Sequence, residues 1–133
     1  MSHASPATIL LVNDDPAVRD MTAAMLEDLG YGVIEADDGA AALDLLSKGI
    51  RVDLMLADFA MPGMTGGELA VAVAERRPGL PVLLVMGNAD EHALKAVGED
   101  RVVLKPFRTE DLARKVRVAL GGPDSGQVVS LRR

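Results

Sequence analysis

Val52-Asp53-Leu54-Met55-Leu56-Ala57-Asp58-Phe59-Ala60-Met61-Pro62-Gly63-Met64-Thr65-Gly66-Gly67 reads as a buried strand, an acidic stop and a turn. Leu54 to Ala57 is an unbroken apolar run, the pattern of a strand covered on both faces. It ends in Asp58, and Met61-Pro62-Gly63 prevents its continuation as helix or strand. A carboxylate at the carboxyl end of a buried strand stands where open α/β sheets place their ligands. A lone Asp there is better explained as a turn or cap residue, so the rest of the chain has to decide.

Upstream, Thr8 to Val12 is a second apolar run, stopped by Asn13-Asp14-Asp15-Pro16. Asp15 suits a helix cap and Pro16 a first helical turn. The helix runs to about Leu29, with Val18, Met21, Met25 and Leu29 expected on its inner face, and Gly30 ends it. Tyr31 to Ala36 is a strand, Asp37-Asp38-Gly39 a turn, and Ala40 to Lys48 a helix stopped by Gly49. The third strand spans Val52 to Ala57.

Downstream, Thr65-Gly66-Gly67-Glu68 has capping-box spacing. The helix it starts carries Leu69 and Val73 inward and stops at Arg76-Arg77-Pro78-Gly79. Pro81 to Met86 is the fourth strand, Gly87-Asn88 a turn, and Ala89 to Val97 a short, weakly apolar fourth helix. Val102 to Leu104 is the fifth strand, cut off at Lys105-Pro106. Thr109 is expected to cap the fifth helix, with Glu110 and Asp111 early and Arg114, Lys115 and Arg117 late, an order that complements the helix dipole.

Five strands alternating with five helices predict a parallel sheet with helices on both faces and right-handed crossovers. At 133 residues this is a flavodoxin-like three-layer (βα)5 sandwich of strand order 2-1-3-4-5. The domain spans residues 8–121, between a disordered lead over 1–7 and a flexible tail over 122–133. A hydrophobic content of 49% is ample for one core. The net charge of −6 argues against a nucleic-acid partner, and one Tyr, two Phe and no Trp leave little to stack on bases. No cysteine means no disulfide framework. No apolar run is long enough to span a membrane, and the first residues lack the pattern of a signal peptide. A cytoplasmic protein is expected.

In this topology the ends of strands one, three and five open on one edge of the sheet. They carry Asn13 and Asp14, Asp58, and Lys105 respectively. Asp14 and Asp58 would repel one another without a cation between them, and hard oxygen ligands favour Mg²⁺ (or Mn²⁺). A carboxylate beside such a cation and a lysine is equipped to accept a phosphoryl group. Singly, each residue has a plainer reading: a cap for the acids, a solvated lysine beside a turn for Lys105. Together, three charged residues at three strand ends are poorly explained by turn chemistry.

Val12-Asn-Asp-Asp-Pro16, Ala57-Asp-Phe-Ala-Met-Pro-Gly-Met-Thr-Gly66 and Leu104-Lys-Pro-Phe107 resemble the three signatures of the response-regulator receiver domain of two-component systems. The resemblance covers roughly Thr8 to Leu120. It implies that Asp58 takes a phosphoryl group from a histidine of a sensor kinase or phosphotransfer protein. It implies that Asp14 and Asp58 ligate Mg²⁺ by side chain, Ala60 by its backbone carbonyl and Asn13 through a water. Lys105 would pair with the phosphoryl oxygens, and the Pro106 peptide bond is usually cis in the family. Such a domain is a phosphoacceptor, not an enzyme in its own right, beyond catalysing its own phosphorylation and dephosphorylation. It signals by altered contacts with an output protein through the first, fourth and fifth helices. A homodimer through the fourth helix, fifth strand and fifth helix belongs to the same expectation.

Three positions depart from the pattern. Asn13 stands where the family usually has an acid, which predicts weaker Mg²⁺ binding. Met86, followed by Gly87, stands where a Thr or Ser hydroxyl would bond a phosphoryl oxygen, and Met cannot donate that bond. Val102 stands where a switch aromatic is usual. These changes motivate a second reading, a degenerate receiver that binds partners independently of phosphate. An aspartyl-phosphate hydrolase of the haloacid-dehalogenase type is disfavoured, because it wants an acid where Ala60 stands. Flavin binding is disfavoured too, because Asn13-Asp14-Asp15 is acidic where a phosphate loop is needed. His3 and His92 read as ordinary solvated residues.

Overall fold

The computed structural model describes residues 6–87, 95 and 98–121. Strands β1 (Thr8–Val12), β2 (Gly32–Ala36), β3 (Leu54–Asp58), β4 (Val82–Met86) and β5 (Val102–Leu104) form one sheet. All pairings are parallel, in the order β2-β1-β3-β4-β5. Helices α1 (Pro16–Asp28), α2 (Gly39–Ser47), α3 (Gly66–Arg76) and α4 (Thr109–Ala119) connect and follow the strands. This is the expected flavodoxin-like sandwich. The helix expected over Ala89 to Val97 lies outside the described residues, as do His3, His92 and residues 122–133.

β3 lies at the centre, and its apolar residues Leu54 to Ala57 are all buried, as an unbroken apolar run requires, together with Asp58 at its end. Alternate side chains feed two cores. On one face Leu10, Val12, Met55, Ala57 and Leu84 meet Ala42 and Leu46 of α2 and Leu69 and Val73 of α3. On the other, Ile9, Leu11, Leu54, Leu56 and Val85 meet Ala23 and Leu26 of α1 and Leu112 and Val116 of α4. Burial of these side chains, at roughly 1.5–3 kcal/mol for each Val, Leu, Ile or Met and less for Ala, is what holds the three layers together.

The capping box at α3 forms as its spacing predicts. Thr65 Oγ1 accepts the Glu68 N–H at 3.1 Å and Glu68 Oε1 accepts the Thr65 N–H at 2.9 Å. Asp15 caps α1, accepting from Ala17 and Val18.

Three local expectations are corrected. The inner face of α1 is Thr22, Ala23 and Leu26, with Met25 packed beside them, while Val18 and Met21 are exposed. Burying Thr22 is inexpensive because its hydroxyl donates to the Val18 carbonyl at 2.9 Å. The residue before α4 is Arg108 rather than Thr109, because Asp111 then lies three residues on and accepts the Arg108 N–H at 3.0 Å. β3 starts at Leu54, not Val52: Asp53 still donates its N–H to the Thr8 carbonyl at 2.8 Å, but its carboxylate rather than its main chain accepts the Thr8 N–H, at 2.7 Å. It also includes Asp58, which pairs in register with Val85.

Candidate functional site

Strand register assembles the site. Val12 pairs with Ala57, Asp58 with Val85 and Leu104 with Met86, so residues 13, 58 and 105 meet at the carboxyl edge of the sheet. The ladder continues past the strand ends, with Phe59 N donating to Val85 O at 2.9 Å and Lys105 N to Met86 O at 2.8 Å. The Lys105–Pro106 peptide bond is cis.

Asp58 is 6% exposed. Its Oδ1 is shut off from solvent and accepts no hydrogen bond. The Lys105 ammonium lies 3.0 Å from that same atom. The contact is thus an ion pair by distance, set outside the angles of a hydrogen bond. A buried carboxylate oxygen left in this state has capacity for another positive or donating group.

The loop after β1 holds its three residues unequally. Asn13 is buried, and its Oδ1 accepts the Asp15 N–H at 2.9 Å. Its N–H donates to Ala36 O at 3.2 Å. Its carbonyl accepts from Arg19 Nη1 at 2.7 Å, and Arg19 Nε donates to Glu35 Oε1 at 3.1 Å. Asp14 is exposed, and its carboxylate makes no hydrogen bond or ion pair among the described residues. Arg19 and Glu35 are absent from the set of residues that sequence reasoning assigns to the site. The spacing of Asn13 and Arg19 is visible in the sequence, but Glu35 joins them only through the pairing of β2 with β1.

After Asp58 the chain turns sharply. Ala60 is exposed, Gly63 has φ +83°, and Gly66 N donates to Phe59 O at 2.8 Å. A Cβ at Gly66 would lie 2.6 Å from the Asp58 carbonyl oxygen and 2.8 Å from Phe59 Cα. No side chain fits there, so α3 begins directly against the Asp58 backbone. Asn13, Asp58 and Lys105 line a cavity of about 40 Å³, closed on the α1 and α4 side by Val18, Thr22 and Phe107.

Met86 and Val102 are buried in the core shared with α2 and α3. Met86 fills volume and brings no donor to the edge. Gly87 follows it, with nothing within 4 Å of where a Cβ would stand.

Among the described residues, no group of three or more His, Cys, Asp or Glu side chains is placed to hold a metal ion. Asp14, just past β1, and Asp58, at the end of β3, carry carboxylates, and Ala60 follows Asp58 by two residues with its backbone carbonyl; of the three only Asp58 lines the cavity, while Asp14 and Ala60 are exposed. These are hard oxygen donors, suited to Mg²⁺ or Mn²⁺ completed by water rather than to zinc. The buried Oδ1 of Asp58, which accepts no hydrogen bond and has the Lys105 ammonium at 3.0 Å, is compatible with such a cation nearby.

Residues 9–117 match the response regulator receiver domain. The chain is 39% identical over 114 residues to the chemotaxis protein CheY of Pseudomonas aeruginosa, covering 81% of this chain and 91% of CheY. It is 31% identical over 118 residues to the probable transcriptional regulatory protein TcrX of Mycobacterium tuberculosis, covering 86% of this chain and half of TcrX. Among solved structures, Vibrio cholerae CheY4 superposes with a TM-score of 0.73 at 32% identity, covering 86% of this chain and 98% of that one. A receiver domain protein of Clostridium thermocellum shares the fold with a TM-score of 0.80 at 20% identity, covering 86% and 94%. By its sequence, its sheet order and its edge residues, the chain belongs to the response regulator receiver family.

Proposed function

We propose that this domain accepts a phosphoryl group on Asp58 from a phosphorylated histidine of a sensor kinase or phosphotransfer protein. The observation that carries this reading is the buried Asp58 oxygen, without a hydrogen bond, 3.0 Å from the Lys105 ammonium. An Asp58 carboxylate oxygen attacks phosphorus, the bond from phosphorus to the donor imidazole nitrogen breaks, and the imidazole leaves with its electron pair. Lys105 balances the charge on the phosphoryl oxygens. Asp14, Asp58 and the Ala60 carbonyl would hold Mg²⁺ or Mn²⁺, with Asn13, whose Oδ1 already accepts the Asp15 N–H, contributing through a water. The cation, when bound, would supply neutralisation of negative charge at the site.

Asp58 is here an acceptor that passes on a signal, rather than a site of turnover. The output is a change of contact with a partner protein, in the cytoplasm. No described helix is long and apolar enough to cross a membrane. Intact-protein mass spectrometry after exposure to acetyl phosphate and Mg²⁺ tests the reading. One phosphoryl adduct, absent from Asp58→Ala, supports it; no adduct despite bound cation rejects it.

One observation favours a second reading, a receiver that engages its partner without phosphate. Met86 and Val102 are both packed into the core, and neither brings a hydroxyl or an aromatic ring to the edge. Partner affinity equal in wild type and Asp58→Ala would favour that reading.

A further inference from the structure

The loop after β1 combines a fixed main chain with one free carboxylate. Asn13 is tied through its N–H, its carbonyl and its side-chain oxygen. Asp15 is tied through its N–H and carboxylate, and its carbonyl accepts the Arg19 N–H at 2.8 Å. Only the side chain of Asp14 is left without a partner among the described residues. Arg19 closes the frame. Its side chain is 18% exposed and spans from Glu35 on β2 to the Asn13 carbonyl. That carbonyl belongs to the peptide from which Asp14 departs, so the 2.7 Å bond sets the plane of the Asp14 amide.

We propose that Arg19, held by Glu35, is a positioning residue for the Asp14 carboxylate and thereby sets the affinity of the edge for a divalent cation. The inference rests on the cation reading above. A plainer account makes Arg19 and Glu35 a surface ion pair between α1 and β2, which contributes little to stability. The Asn13 contact speaks against that account. It is a short, charge-assisted bond to the main chain of the cation loop. Removing a group that orients a metal ligand commonly weakens binding about 10- to 100-fold.

The test is Mn²⁺ titration of the chelator-stripped full chain by electron paramagnetic resonance, with thermal melts in chelator beside it. Arg19→Met is expected to bind Mn²⁺ about tenfold more weakly, Glu35→Gln more weakly by less, and Arg19→Lys in between. A merely structural role would lower the melting temperature and leave the Mn²⁺ affinity of the folded protein unchanged. Asp14→Asn reports on the cation reading itself and should abolish binding. Loss of binding in Asp14→Asn with wild-type affinity in folded Arg19→Met would overturn the positioning role alone. Should Arg19→Met not fold, wild-type affinity in both Arg19→Lys and Glu35→Gln overturns it. Wild-type affinity in Asp14→Asn would overturn the cation reading and this proposal together.

Discussion

Lys105 Nζ stands 3.0 Å from Oδ1 of Asp58, an oxygen that is closed to solvent and accepts no hydrogen bond. The lysine stem is half exposed, whereas the carboxylate is not. The pair is therefore unequal: Asp58 depends on Lys105 more than Lys105 depends on Asp58. Lys105→Met leaves a buried carboxylate without its counter-charge. The expected outcome is a lower melting temperature in chelator, partly restored by Mg²⁺. Affinity for beryllofluoride falls about tenfold, the loss expected for one charge-assisted contact. Unchanged beryllofluoride titrations would remove Lys105 from the site.

Met86→Thr pulls in two directions. The hydroxyl supplies the donor that the end of β4 lacks, so beryllofluoride binding should tighten. The same change removes a side chain that is 1% exposed and packed in the α2 and α3 core, which costs about 2 kcal/mol or more in urea denaturation. A variant that loses stability without gaining affinity would show that a hydroxyl at this position cannot reach the edge.

Asn13→Asp keeps an oxygen for the Asp15 N–H and adds a negative charge beside Asp14 and Asp58. The protein without cation becomes less stable by like-charge repulsion, and the cation binds more tightly. Both effects enlarge the rise in melting temperature on adding Mg²⁺. A rise equal to that of wild type would place residue 13 outside the reach of the cation.

Thr65→Ala removes one half of the capping box that starts α3. Urea denaturation should show a loss of about 1 kcal/mol. A loss below a few tenths would mean that the helix is held by Leu69 and Val73 alone.

The sequence made the fold readable wherever one residue type has one use. The Leu54 to Ala57 run is too short for a core helix and is closed by Pro62 and Gly63, so it reads as a buried strand, and Thr65 with Glu68 has the spacing of a capping box. The inner face of α1 was harder to read. A pattern of apolar residues selects Val18 and Met21, whereas the helix buries Thr22, whose hydroxyl is satisfied by its own backbone. Asp58, Asn13 and Lys105 are legible as a group, because strand order alone brings them to one edge. The Arg19 frame is not, since Glu35 reaches it only through the register of β2 on β1, which no local signal encodes. Arg108 also goes unnoticed, because its place before α4 depends on an acceptor three residues later rather than on its own side chain.

Gly66 leaves no clearance between the first turn of α3 and the main chain of Asp58. Any side chain at residue 66 would have to push α3 away from β3, so the helix can lie this close to the Asp58 main chain only while residue 66 is glycine.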